Sequence, residues 1–209
     1  MTFPKEFKEA ISELPSIEKD RLILRLLKKD IPLANRLLFE LVSDSTVEEE
    51  REKTKERLSK LIERVSKNFY TPDYLNVEIR SMSGEINEHV FTTKDKLGEI
   101  SLNLYIIKEI LERNKQKLSS FNYQKSRKFY IGIMARMFKI LILIKKLHED
   151  YFLEFKDDLE EIGNLILENS NLQKTAIDNG FNIHWLIDGT IPDEIEKIVK
   201  QIRANGLLK

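Results

Sequence analysis

Apolar residues recur along this chain at three- and four-residue intervals, in runs broken by short polar or proline-containing turns, and that period predicts helices throughout. A first short helix is expected over about residues 3–14, stopped at Leu14-Pro15. Ser16 is placed to cap a second over 17–29, where Ile17, Leu22, Leu24, Leu26 and Leu27 make a broad apolar face. Pro32 opens a third, running to about Val42. Thr46 and Glu49 stand at capping-box spacing before a long charged helix with Val47, Leu58, Leu61, Ile62 and Val65 as sparse apolar points.

Thr71 and Pro72 start the next helix, predicted to about Glu88, and Thr92 or Thr93 is placed to cap one that continues to about Lys117. The stretch "LSSFN" then separates it from a strongly apolar segment. Nearer the carboxyl end, "ENSN" and "DNGFN" are breaks, with Gly180 a natural helix terminator, and Pro192 and Gly206 bracket a final helix. His184 and Trp185, in "FNIHWLIDG", belong to a short element that packs this last helix onto the core. No stretch reads as a strand.

The least diluted apolar segment is "RKFYIGIMARMFKILILIKKLHED", residues 127–150. On a wheel of 100° per residue, Lys125, Lys128, Arg136, Lys139 and Lys146 share an arc of about 80°, with Gly132 and Ala135 in or beside it. Nearly all the remaining arc is apolar, so the segment is expected to be a central helix at about 122–148 with one narrow basic seam. The fold class this implies is all-α: an irregular multi-helix bundle, or a repeat-like antiparallel helix stack, around this helix. Residues 1–209 read as a single domain, since no Gly-, Ser- or Pro-rich linker divides them.

Charge sharpens the picture around that helix. From Arg113 to Lys146 there are ten basic residues and no acid, and then "EDYFLEFKDDLEE" brings seven acids against one lysine. If the chain turns near residue 149, Asp150, Glu154, Asp157 and Glu161 are expected to fold back and face Lys146, Lys139 and Arg136. No Gly or Pro marks such a turn.

Composition excludes more than it assigns. Lys and Arg total 35 and Asp and Glu total 35, so no global field recruits nucleic acid or an anionic surface. Seven Gly and five Pro among 209 residues suit a helical chain. The absence of Cys removes disulfides, thiolate nucleophiles and thiolate metal sites, and fits a reducing, cytoplasmic compartment. The amino terminus lacks the pattern of a secretory signal. Arg136 and Lys139 interrupt the best candidate for a membrane span, so no membrane partner is expected.

Three chemical readings remain. The leading one is an interaction or adaptor domain that binds a protein partner through a helical surface, with homo-oligomerisation left open and no cofactor. A second starts from acidic residues three apart on a helix, which share a face: Glu85 with Glu88, and Glu109 with Glu112. The pattern resembles that of the all-α nucleoside triphosphate pyrophosphatases, which include dimeric deoxyuridine triphosphatases. The resemblance implies a nucleotide pyrophosphohydrolase with Mg²⁺ on those four carboxylates and phosphate on Arg136 or Lys139. The second pair lacks the Asp such enzymes usually show, and the chain holds eight such pairs, close to what 35 acids in 209 residues give by chance.

The third reading is an anion site on the basic stripe, where Lys128, Arg136 and Lys139 hold phosphate or carboxylate beside the small residues Gly132 and Ala135. Nucleic acid is a poorer fit, because Phe129 and Tyr130 face the core side of the wheel and not the stripe. His89, close to Glu85 and Glu88, is expected at a helix end or on the surface. There is no Gly-x-Ser-x-Gly, no phosphate loop, no dinucleotide fingerprint and no zinc spacing.

Overall fold

Thr46 starts the first helix of the chain that buries residues fully. Its Oγ1 accepts from the Glu49 amide at 3.1 Å while the Glu49 carboxylate accepts from the Thr46 amide at 2.9 Å, the capping box expected from the sequence. A computed structural model describes residues 2–208, and these form eleven α-helices and one run of 3₁₀ turns, with no strand among them. The first three helices are α1 (Lys5–Glu13), α2 (Ser16–Leu27) and α3 (Ile31–Leu41). The long antiparallel core helices come next: α4 (Val47–Lys67), α5 (Pro72–Thr93), α6 (Lys96–Ser120) and α7 (Tyr123–Lys145). The 3₁₀ run (Glu149–Phe155) leads into α8 (Lys156–Glu168), α9 (Ser170–Asp178), the single-turn α10 (His184–Ile187) and α11 (Ile195–Ala204).

The seam helix is α7, and it packs against α5, α6, α9 and α11. Phe129, Tyr130, Met134, Met137, Phe138 and Leu141 on it are fully buried, and the hydrophobic core runs from Leu58 to Ile202 around them. Burying side chains of this size contributes roughly 1.5–3 kcal/mol each, which accounts for α7's apolar circumference. Phe138 meets Phe181 edge-on at 5.0 Å and Trp185 at 6.2 Å between ring centres, so α10 closes one end of the core. No helix among the described residues is long and apolar enough to cross a membrane.

Several boundaries differ from the sequence reading, each for a local reason. Pro15, not Ser16, stands at the start of α2, and no side chain caps it. Asp30 caps α3 by accepting from the Leu33 amide at 3.1 Å. Helix α5 runs on through Thr92 and Thr93, ends with Lys94 in the left-handed region (φ 59°), and leaves Asp95 to cap α6 by accepting from Gly98 N–H at 2.8 Å. A Cβ at position 98 would collide with the Asp95 carboxylate, so glycine is what lets the acid sit over the helix end. The α2 face that reads as core-forming is exposed, and α1, α2 and α3 bury no residue fully.

The break after α7 needs neither Gly nor Pro, because the 3₁₀ run redirects the chain. The acids beyond it do not return to the α7 seam. Helix α8 packs on α6, α9 and α10, and its acids serve α6: Lys108 pairs with Asp158 and, at 3.1 Å, with Glu161, and Lys115 pairs with Glu168 at 2.7 Å. On α7, Lys139 pairs with Glu99 of α6 at 2.8 Å and Lys145 with Asp193 at 2.7 Å.

Candidate functional site

Helix α5 packs its apolar positions Leu75, Ile79, Met82 and Ile86 into the core, which turns the neighbouring positions Asn76, Arg80, Ser83 and Asn87 toward the α7 seam. Gly132, Ala135, Arg136, Lys139 and Ile142 supply the facing wall from α7, Asn103 comes from α6, and Val199 and Arg203 close the rim from α11. The result is an open cleft of about 570 Å³, a volume suited to a small ligand. Among the described residues no carboxylate lines it.

Arg136 is the centre of the cleft. Its neighbours Met137, Ile133 and Ile140 are buried, so the guanidinium is carried below the surface with them. Nη1 donates to Ser83 Oγ at 2.7 Å and to Asn103 Oδ1 at 3.0 Å, and Nη2 donates to the Ile79 carbonyl at 3.4 Å. All three acceptors are neutral. A guanidinium has five N–H donors, so two remain without a protein acceptor among the described residues. Burial pulls the Arg136 pKa down to about 10, and the charge of Arg80 pushes the same way. It is still a cation at neutral pH. The fold therefore holds a desolvated positive charge in place with hydrogen bonds and gives it no counter-charge, an arrangement an incoming anion would relieve.

The sequence-predicted anion residues separate on the structure. Arg136 lies in the cleft as expected from the wheel. Lys139 lines it too, but Glu99 holds its Nζ. Lys128 is exposed about two turns before Arg136, toward the amino end, and lies outside the cleft lining. The space over Gly132 is taken by a protein side chain: a Cβ there would stand 2.7 Å from Asn76 Oδ1. Arg80, Arg203 and the asparagines were missed. The signal for α5 is present as the spacing Asn76-Arg80-Ser83-Asn87, a polar stripe at intervals of four, three and four that no charge run advertises.

The four carboxylates of the hydrolase reading do not form one group. Glu85 lies opposite Arg57 at 3.7 Å, Glu109 accepts from Arg113 Nε at 2.6 Å, and Glu88 and Glu112 are exposed. No three His, Asp or Glu side chains among the described residues come together as a metal-holding set. Phe129 and Tyr130 are buried, as the wheel indicates, and offer no surface for a base to stack on.

His89 is not at the surface. It is buried beside Asp95, with Nε2 at 3.0 Å from Oδ2, and because an ionised carboxylate only accepts, Nε2 carries the proton. Arg51 of α4 donates to the same carboxylate from Nε at 2.6 Å and Nη2 at 2.8 Å. Burial pushes the Asp95 carboxyl up, but hydrogen bonds from His89, Arg51 and the Gly98 amide outweigh it and hold it well below the usual carboxylate range. Every oxygen of this carboxylate is occupied, so the cluster clamps α4, α5 and α6 together.

No protein-family model matches the chain, and no curated protein or solved structure matches it.

Proposed function

We propose that the protein is a binding module for a small anionic ligand, one that presents a phosphate or carboxylate to Arg136 with Arg80 and Arg203 at the rim. The observation that carries this reading is Arg136 itself, half-buried, hydrogen-bonded among the described residues only to neutral acceptors, and set in a cleft lined by no carboxylate. Guanidinium groups match such anions in a planar, two-point geometry, and partial burial strengthens the contact. Asn76, Asn87 and Asn103 add amides beside the cations, and Ile142 and Val199 give the cleft an apolar edge. These features support recognition of an anion.

Thermal denaturation with inorganic phosphate, pyrophosphate, citrate and a nucleotide panel tests it. A ligand that binds only the native state at about a hundred times its Kd adds about 2.7 kcal/mol, a rise of roughly 5–10 °C in Tm for a chain of this length. At least one of these anions is expected to raise Tm in the wild-type chain and not in Arg136→Gln. Absence of any anion-dependent shift in the wild type contradicts the proposal. The interaction-domain reading of the sequence draws its support from a different part of the molecule, the amino-terminal helices.

A further inference from the structure

Twelve of the nineteen exposed large hydrophobic residues among those described fall between Phe3 and Val42. Phe7, Ile17, Leu24, Leu26, Ile31 and Leu41 are among them, and Leu41 is 77% exposed. Helix α3 anchors this region to the body: it packs on α5, Arg36 lies over the Phe91 ring at 5.8 Å, and Lys94 pairs with Glu40 at 3.1 Å. Beyond α3 the chain has little to lean on. Helix α2 touches α3, Lys19 Nζ donates to the Ser12 carbonyl at 2.7 Å, and Phe3 packs on Phe7. Residues 3–42 thus form an arm in which α1 and α2 stand off the body and α3 turns only part of its apolar surface onto α5.

We propose that the arm is a self-association surface: two copies of the chain pair arm to arm about a two-fold axis, with α1 of one copy lying against α2 of the other. Twelve exposed large apolar side chains on or beside three successive helices are more than a monomer ordinarily leaves uncovered, and they are the apolar material an interface of roughly 800 Å² per partner requires. Charge selects the occupant. Residues 5–13 carry three acids and two bases, and residues 16–29 carry five bases and two acids. An antiparallel pairing sets the acidic helix of one copy on the basic helix of its partner, twice over, which is how an isologous interface becomes complementary to itself. A membrane surface is the poorer match, since residues 2–42 hold eight bases and seven acids and lack the Lys/Arg-rich polar face that anionic lipid selects.

Sedimentation equilibrium of the full chain tests the pairing. The wild type is expected at twice 24.7 kDa. The double variant Ile11→Glu, Leu24→Glu is expected as a monomer with unchanged circular dichroism, because both positions are exposed and outside the core. A second pair of variants isolates the geometry: one chain with Glu6, Glu9 and Glu13 changed to Lys, another with Arg21, Arg25 and Lys28 changed to Glu. Each alone is expected to dissociate, and an equimolar mixture is expected to form a mixed dimer in which both contacts are complementary again. A wild-type monomer at every concentration, a dimer that survives Ile11→Glu, Leu24→Glu, or a mixture that stays monomeric overturns the proposal. So does a wild-type chain that floats with neutral or anionic vesicles as a monomer.

Discussion

Arg136 Nη1 and Asn103 Oδ1 are 3.0 Å apart, an amide oxygen standing where a carboxylate would neutralise the cation. The Asn103 amide is fixed in turn, because its Nδ2 donates to the Glu99 carbonyl at 2.6 Å and the residue is buried. The guanidinium is thus held by a rigid neutral neighbour, and its charge is left for something else. Replacing it with glutamine keeps a donor for Asn103 and removes a desolvated charge. Arg136→Gln is expected to melt within a few degrees of the wild type, or above it, while losing anion-dependent stabilisation. A cation that served only to hold the helices together would instead leave the variant clearly less stable.

Arg51→Met or Asp95→Asn breaks the buried clamp and is expected to cost about 3–5 kcal/mol at pH 7, since removing one partner strands the other. The depressed carboxyl also sets a pH dependence. The stabilisation is present in full above the ordinary Asp pKa of about 3.9 and is lost as pH falls below it toward the native value. Urea denaturation from pH 7 to pH 3 is expected to show a steeper loss of stability for the wild type than for Asp95→Asn.

Gly132→Ala places a methyl group 2.7 Å from Asn76 Oδ1. The amide is the mobile end of its side chain and can swing aside, so the melting temperature is expected to change little. The cleft wall moves with it. Calorimetric titration with the strongest anion found is expected to show affinity lower by no more than about tenfold, the equivalent of about 1.4 kcal/mol. Adding Asn76→Ala to Gly132→Ala is expected to have little further effect, because both act through one contact.

Phe138→Ala opens a cavity beneath Phe181 and Trp185 and is expected to cost about 3–5 kcal/mol. Trp185 is the chain's one tryptophan, so its emission reports that packing directly. A red-shifted emission together with the lower midpoint in denaturant is the expected result.

The helical period disclosed α4 through α7 because each carries apolar positions that must be buried, and Thr46 and Thr71 mark two of the starts locally, whereas Asp95, which caps α6, is passed over for Thr92 or Thr93. It could not disclose which apolar faces are actually covered: Leu24 and Leu58 look alike in sequence, yet Leu24 is exposed and Leu58 buried. Arg136 was legible because charge on a greasy helix is conspicuous. Arg203 was not, since it lies 67 residues downstream and joins Arg136 only through the packing of α11 on α7. The fate of the acids after Leu147 was equally hidden, because a 3₁₀ run leaves no compositional mark and decides which helix receives the counter-charge.

The most direct test of the cleft is the Nε–Hε resonance of Arg136 in ¹⁵N-labelled protein as phosphate or pyrophosphate is titrated. The Arg136 signal is expected to move and saturate, with Arg80 and Arg203 following and Arg21 and Arg25 on the arm unaffected. An Arg136 signal that stays fixed, or arginine signals that all drift together without saturating, would contradict a built anion site.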